Sequence, residues 1–108
     1  MPPLQFETTL SGGTAHVALA GDLDISGATL LEQEFERLAA EESPDAVVVD
    51  LRGLAFMDSS GLRLVVLADN QAREAGRRFA LVRGTDTVQR VFEITRMSDH
   101  LTFVEAGS

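Results

Sequence analysis

The stretch Ala46-Val47-Val48-Val49-Asp50-Leu51-Arg52-Gly53-Leu54-Ala55-Phe56-Met57-Asp58-Ser59-Ser60-Gly61-Leu62 decides the fold. Its first four residues are a continuous apolar run without polar alternation, the pattern of a central parallel strand covered on both faces. The run ends at Asp50, and Val48 is expected in its middle with no route to water. The last residues open a helix. Asp58 suits the N-cap, and Ser59 is then the first helical residue, its hydroxyl beside free backbone N–H groups that carry partial positive charge. The residues between read as a loop leaving the carboxyl end of a parallel strand, where α/β sheets place ligand and partner surfaces. Such a helix start can hold a phosphate. Asp58-Ser59-Ser60 can equally be a good cap and nothing more.

Outward toward the C-terminus, the helix is expected from Ser59 to about Ala75, burying Leu62, Val65 and Val66, with Gly76 supplying a left-handed cap. A short apolar strand follows at Phe79–Val82. Thr85 is a plausible N-cap for a third helix in which Val88, Val91, Phe92 and Thr95 share a face, and Leu101–Val104 forms a last short strand or extended tail. Toward the N-terminus, Leu4, Phe6, Thr8 and Leu10 alternate with polar residues, and Val17 and Leu19 resume the alternation after Ser11-Gly12-Gly13-Thr14. The pair reads as a β-hairpin whose second strand runs out at Gly21. From Ser26 the period becomes helical, with Leu31, Phe35 and Leu38 on one side and Glu32, Glu34, Glu36 and Arg37 on the wet side, until Ser43-Pro44. The order is β-β-α-β-α-β-α-β. Right-handed crossovers and three helices, as many as one face needs, predict an α/β fold: a mixed, mainly parallel sheet with an antiparallel edge and helices mainly on one face.

Composition bounds the function. The 108 residues contain 44% hydrophobic and 24% charged residues, so residues 1–108 read as one domain with a core of its own. Cysteine is absent, which removes disulfides, thiolate metal sites and thiol catalysis. Met1-Pro2-Pro3-Leu4 carries neither a basic start nor a long apolar run, and no stretch approaches the roughly 20 apolar residues of a membrane span, so a cytoplasmic protein is expected. The net charge of −8 disfavours nucleic acid and anionic membranes and favours basic protein surfaces. All nine bases are arginine, which excludes a Schiff-base lysine and the lysine of a phosphate-binding P-loop.

Asp50-Leu51 followed by Phe56-Met57-Asp58-Ser59-Ser60-Gly61-Leu62 resembles the signature of the STAS domain, specifically of the bacterial anti-sigma factor antagonists. Gly21-Asp22-Leu23-Asp24 resembles that family's turn after the second strand, and Val91-Phe92-Glu93-Ile94-Thr95 its last helix. Arg96 stands where many members carry glycine. The resemblance implies a non-catalytic protein, without cofactor or metal, that binds an anti-sigma factor which is also an ATP-dependent serine kinase and so releases a sigma factor. Phosphorylation would end the binding, and a metal-dependent serine phosphatase would reset it. On this chain the modified residue would be Ser59, and the partner-binding residues Asp24, Asp58, Ser59, Ser60 and Gly61. Phe56 and Met57 read as one core plug and one apolar anchor for the partner.

Other readings compete. A STAS subunit of a stress-signalling complex or a lipid or anion transport assembly would share the fold without acting on a sigma factor. A small hydrolase could be imagined from Ser59, Asp58 and either His16 or His100. Against it, no Gly-x-Ser-x-Gly elbow exists, and Asp58, adjacent to the serine, is badly placed to orient a histidine on its far side. The two histidines read as surface residues and do not make a metal-ligand set. A nucleotide-binding module could use Gly12-Gly13 or the Ser59 helix start, but neither has a lysine or the required loop pattern.

Overall fold

Gly12 and Gly13 have φ of +57° and +80°, the paired positive values of a two-residue hairpin turn that glycine adopts without steric cost. β1 (Gln5–Ser11) therefore runs antiparallel to β2 (Thr14–Leu23) in unbroken register, from Ser11 opposite Thr14 to Gln5 opposite Ala20. The computed structural model describes residues 2–106. Beyond the hairpin it contains α1 (Ile25–Arg37), β3 (Ala46–Met57), α2 (Ser59–Glu74), β4 (Arg78–Val82), α3 (Asp86–Ile94) and the two-residue β5 (Phe103–Val104). The sheet order is β1-β2-β3-β4-β5, with every pairing after the first parallel. Each parallel crossover advances one place in the same direction, and right-handed crossovers that all advance one way deliver their helices to one face. The expected fold class is the one observed.

The core lies between that face and the helices. Val17, Val49, Leu51 and Leu81 from the sheet meet Leu31, Val65, Val88 and Phe92 from the helices, all fully buried. Helix ends follow the local chemistry. Ser43, at φ +46°, ends the π-helical turn Leu38–Glu42 that continues α1, and Gly76, at φ +74°, follows the last turn of α2. Thr85 caps α3, its hydroxyl accepting from the Val88 N–H at 3.3 Å. Arg96, at the position of the expected glycine, is left-handed at φ +63°. Among the described residues no helix is long and apolar enough to cross a membrane.

Five expectations are corrected. β3 does not stop at Asp50 but runs on to Met57, and β2 runs past Gly21 to Leu23. Register shifts between Ala18 and Ala20 and between Gly21 and Asp22 break the alternation, so the buried series Leu51, Leu54, Met57 steps by three and hides a strand. The central strand is covered on one face only: Val47 and Val49 are buried, but Val48 is half-buried on the open side of the sheet. In α2, Leu64 is buried while Val66 is only partly so, because α1 packs beside this helix. Glu34, assigned to the wet side of α1, is buried; its Oε2 accepts from the Thr8 hydroxyl at 2.6 Å and its carboxylate pairs with Arg37 at 2.8 Å.

Candidate functional site

β2 and β3 are parallel neighbours that end level with each other, Leu23 opposite Met57, so the helices that follow begin side by side. The two turns share a sequence pattern, Asp24-Ile25-Ser26-Gly27 and Asp58-Ser59-Ser60-Gly61. They also share a geometry. Asp24 caps α1, its Oδ1 accepting from the Gly27 N–H at 2.9 Å. Asp58 caps α2, its Oδ1 accepting from the N–H groups of Ser60 at 2.9 Å and Gly61 at 3.2 Å. Both aspartates have extended backbones, and the Asp58 N–H donates to the Leu23 carbonyl at 3.3 Å, tying one turn to the other.

The glycines let the helix starts sit down on the strand ends. A Cβ on Gly27 would stand 2.9 Å from the Asp22 carbonyl oxygen and from Leu4 Cβ; one on Gly61 would stand 2.7 Å from Leu23 Cγ and 2.9 Å from Met57 Cγ. Real side-chain contacts are not that short, so both positions need glycine for room rather than for conformation. The equivalent residues at the first helical position are Ile25, 71% exposed, and Ser59, also exposed. One turn presents an apolar side chain and its neighbour a hydroxyl. The Ser59 hydroxyl makes no hydrogen bond among the described residues, and the Ser60 and Gly61 N–H groups beside it, expected to be free, are taken by Asp58. Downstream, Ile25 and Ala28 of α1 face Ser60, Arg63, Leu64 and Leu67 of α2 across a shallow groove.

Of the sequence-derived site residues, Asp24, Asp58, Ser59 and Ser60 come together at this pole with their side chains at least partly accessible. Gly61 lies beneath them, buried, and bears on any surface here only by seating the turn. Met57 is 3% exposed and is a core residue, while Phe56 is half-buried. His16 pairs with Val48 on the open side of the sheet, and His100 follows the 3-10 turn Met97–Asp99 with its carbonyl accepting from Arg73; neither bonds to Ser59. Gly12 and Gly13 are consumed by the hairpin turn. Two residues of the pole escaped the sequence reading, Ile25 and Gly27, and the repeat of Asp-x-Ser-Gly could have revealed both. Asp22, quoted in the turn Gly21-Asp22-Leu23-Asp24, is 2% exposed at the end of β2.

The family model of the Mlab, STAS domain matches residues 6–105, nearly the whole chain. The chain belongs to the STAS-domain family. It is similar to the anti-sigma-B factor antagonist of Staphylococcus aureus, 29% identical over 105 residues, covering 97% of this chain and 95% of that one. The fold is that of two solved structures: the anti-sigma factor antagonist SpoIIAA in its unphosphorylated form (20% identical, TM-score 0.81, 94% of this chain and 90% of that one) and the Bacillus cell fate determinant SpoIIAA in its phosphorylated form (19% identical, TM-score 0.74, 94% and 93%). The expected family is thus the one found.

Proposed function

We propose that this STAS domain is an anti-sigma factor antagonist that binds an anti-sigma factor with serine kinase activity, releases the sigma factor, and is dismissed by phosphorylation of Ser59. The observation that carries the reading is the division of labour at the head of α2: Asp58 does the capping, and Ser59 stands exposed with a hydroxyl that no structural bond uses. In the transfer a bond forms between Ser59 Oγ and the γ-phosphorus of ATP, the bond to the ADP oxygen breaks, and the hydroxyl proton passes to a base on the kinase. The product carries about −1.5 to −2 charges in a patch that already holds Asp24 and Asp58, so a surface matched to the neutral hydroxyl becomes repulsive. The first turn of α2 favours an anion at the same place, so the fold tolerates the modification. Asp24, Asp58 and Ser60 frame the contact, Gly61 seats it, and a serine phosphatase restores it. The protein performs no chemistry itself in this scheme.

Titration of the chain against the kinase partner recovered from its native lysate, with and without ATP, tests the scheme. Wild type is expected to bind and to be released on adding ATP, with the phosphate localised to Ser59 by mass spectrometry. Ser59→Ala should bind normally and stay bound, and Ser59→Glu should bind weakly while melting like wild type. Label that survives Ser59→Ala, or equal release of both proteins, would overturn the assignment.

A further inference from the structure

We infer that β1 is a self-association edge through which two copies of this chain join their sheets, in antiparallel fashion, about a two-fold axis at Thr8. Natural sheet edges are defended by lysine, proline, bulges or very short length. The opposite edge, β5, has two residues. β1 has seven, pairs with β2 without a bulge, and contains no lysine, arginine, proline or glycine. Its apolar side chains are also badly covered: Phe6 is 37% and Leu10 48% exposed, and both lie on the helix side, opposite the buried Leu19 and Ala15. Leu30 of α1, 48% exposed, stands one turn before Glu34, which bonds to Thr8, and so extends the same apolar margin.

The hairpin turn fixes which backbone groups are free. Ser11 and Thr14 close a two-residue turn as a bonded pair, so Ser11, Thr9, Glu7 and Gln5 direct their N–H and C=O toward β2. Phe6, Thr8 and Leu10 direct theirs outward. With the axis at Thr8, Thr8 meets Thr8 and each Phe6 meets the other copy's Leu10, giving about six backbone hydrogen bonds from three mutually bonded pairs. The same register makes two apolar cross-strand pairs and sets Glu7 against Thr9. A one-residue shift one way sets Glu7 against Glu7, a like-charge pair; a shift the other way forfeits a bonded pair. One register is therefore favoured by hydrogen bonds, apolar contact and charge together. The axis stands perpendicular to the sheet, so both helix layers share a face and the two Ser59 poles point in opposite directions, which leaves the proposed switch accessible. The inference is independent of that switch.

Sedimentation equilibrium of the full chain from about 10 µM to about 1 mM should show the mass rising from one chain toward two. Because each copy carries −8, the association should tighten with added salt. Phe6→Lys alone and Leu10→Glu alone should each weaken it at least tenfold while circular-dichroism melts stay cooperative. An equimolar mixture of the two variants should restore it, since lysine at 6 then meets glutamate at 10 of the other copy and the remaining Leu10 meets Phe6. A wild type that stays monomeric at about 1 mM overturns the inference, as does a dimer indifferent to both substitutions or the absence of rescue on mixing.

Discussion

Asp58 carries structure and charge at once, and substitution separates them. Asp58→Ala strips the acceptor from the Ser60 and Gly61 N–H groups and should cost about 1 kcal/mol in urea unfolding. Asp58→Asn keeps the capping oxygen and should unfold within a few tenths of a kcal/mol of wild type, so any change in partner binding then reads charge alone. At Gly61 the constraint is space: an added methyl presses on Leu23 and Met57, both buried, and Gly61→Ala should lose about 1–3 kcal/mol. Arg96 is the reverse case, a side chain in the left-handed region where glycine is free. Arg96→Gly should hold or raise stability, by up to about 1 kcal/mol, in the same assay. The resemblance flagged Arg96 from the sequence, whereas the crowding at Gly61 comes from strand ends that no local pattern announces.

At the scale of elements, α1 is fastened to the hairpin through Glu34. Its carboxyl is held below the ordinary glutamate value near 4.5, chiefly by hydrogen bonding to Arg37, with burial opposing and Thr8 assisting. A carboxylate whose folded pKa is depressed contributes stability above its unfolded pKa and loses it as pH falls through the folded value. Stability measured by chemical denaturation should therefore be level near neutrality and decline below about pH 4.5. Glu34→Gln, which still accepts from Thr8, should be less stable at pH 7 and show a shallower decline. Sequence periodicity put Glu34 on the wet face because a charged residue among charged residues gives no hint of a distant threonine. Its burial depends on where β1 passes.

For the whole molecule, the consequence of an ordered sheet with all helices to one side is that adjacent valines have different fates. Val49 is fully buried under the helices, so Val49→Asp places an unpaired carboxylate in the core and should cost several kcal/mol, a large part of the 5–15 a domain has. Val48 faces the open side near Asp50 and Arg52, which pair at 2.7 Å, and Val48→Asp should fold and melt within about 1–2 kcal/mol of wild type. Thermal melts of the two variants side by side check the one-sided covering of the sheet. Equal loss in both would place a second layer over the open face.

Local chemistry in the chain determined the element order, the hairpin turn at Gly12-Gly13, the caps at Asp58 and Thr85, the stops at Ser43 and Gly76, and the exposure of Ser59. Each of these rests on backbone conformations and hydrogen bonds made within a few residues. Tertiary structure alone decided that β3 continues to Met57, that Val48 is open while Val49 is closed, and that Glu34 is buried; that the turns at Asp24 and Asp58 stand together was legible only through the family resemblance, not from local pattern. Those outcomes depend on which strand or helix lies alongside, and a neighbour brought from 20 or more residues away leaves no period or spacing in the segment it covers.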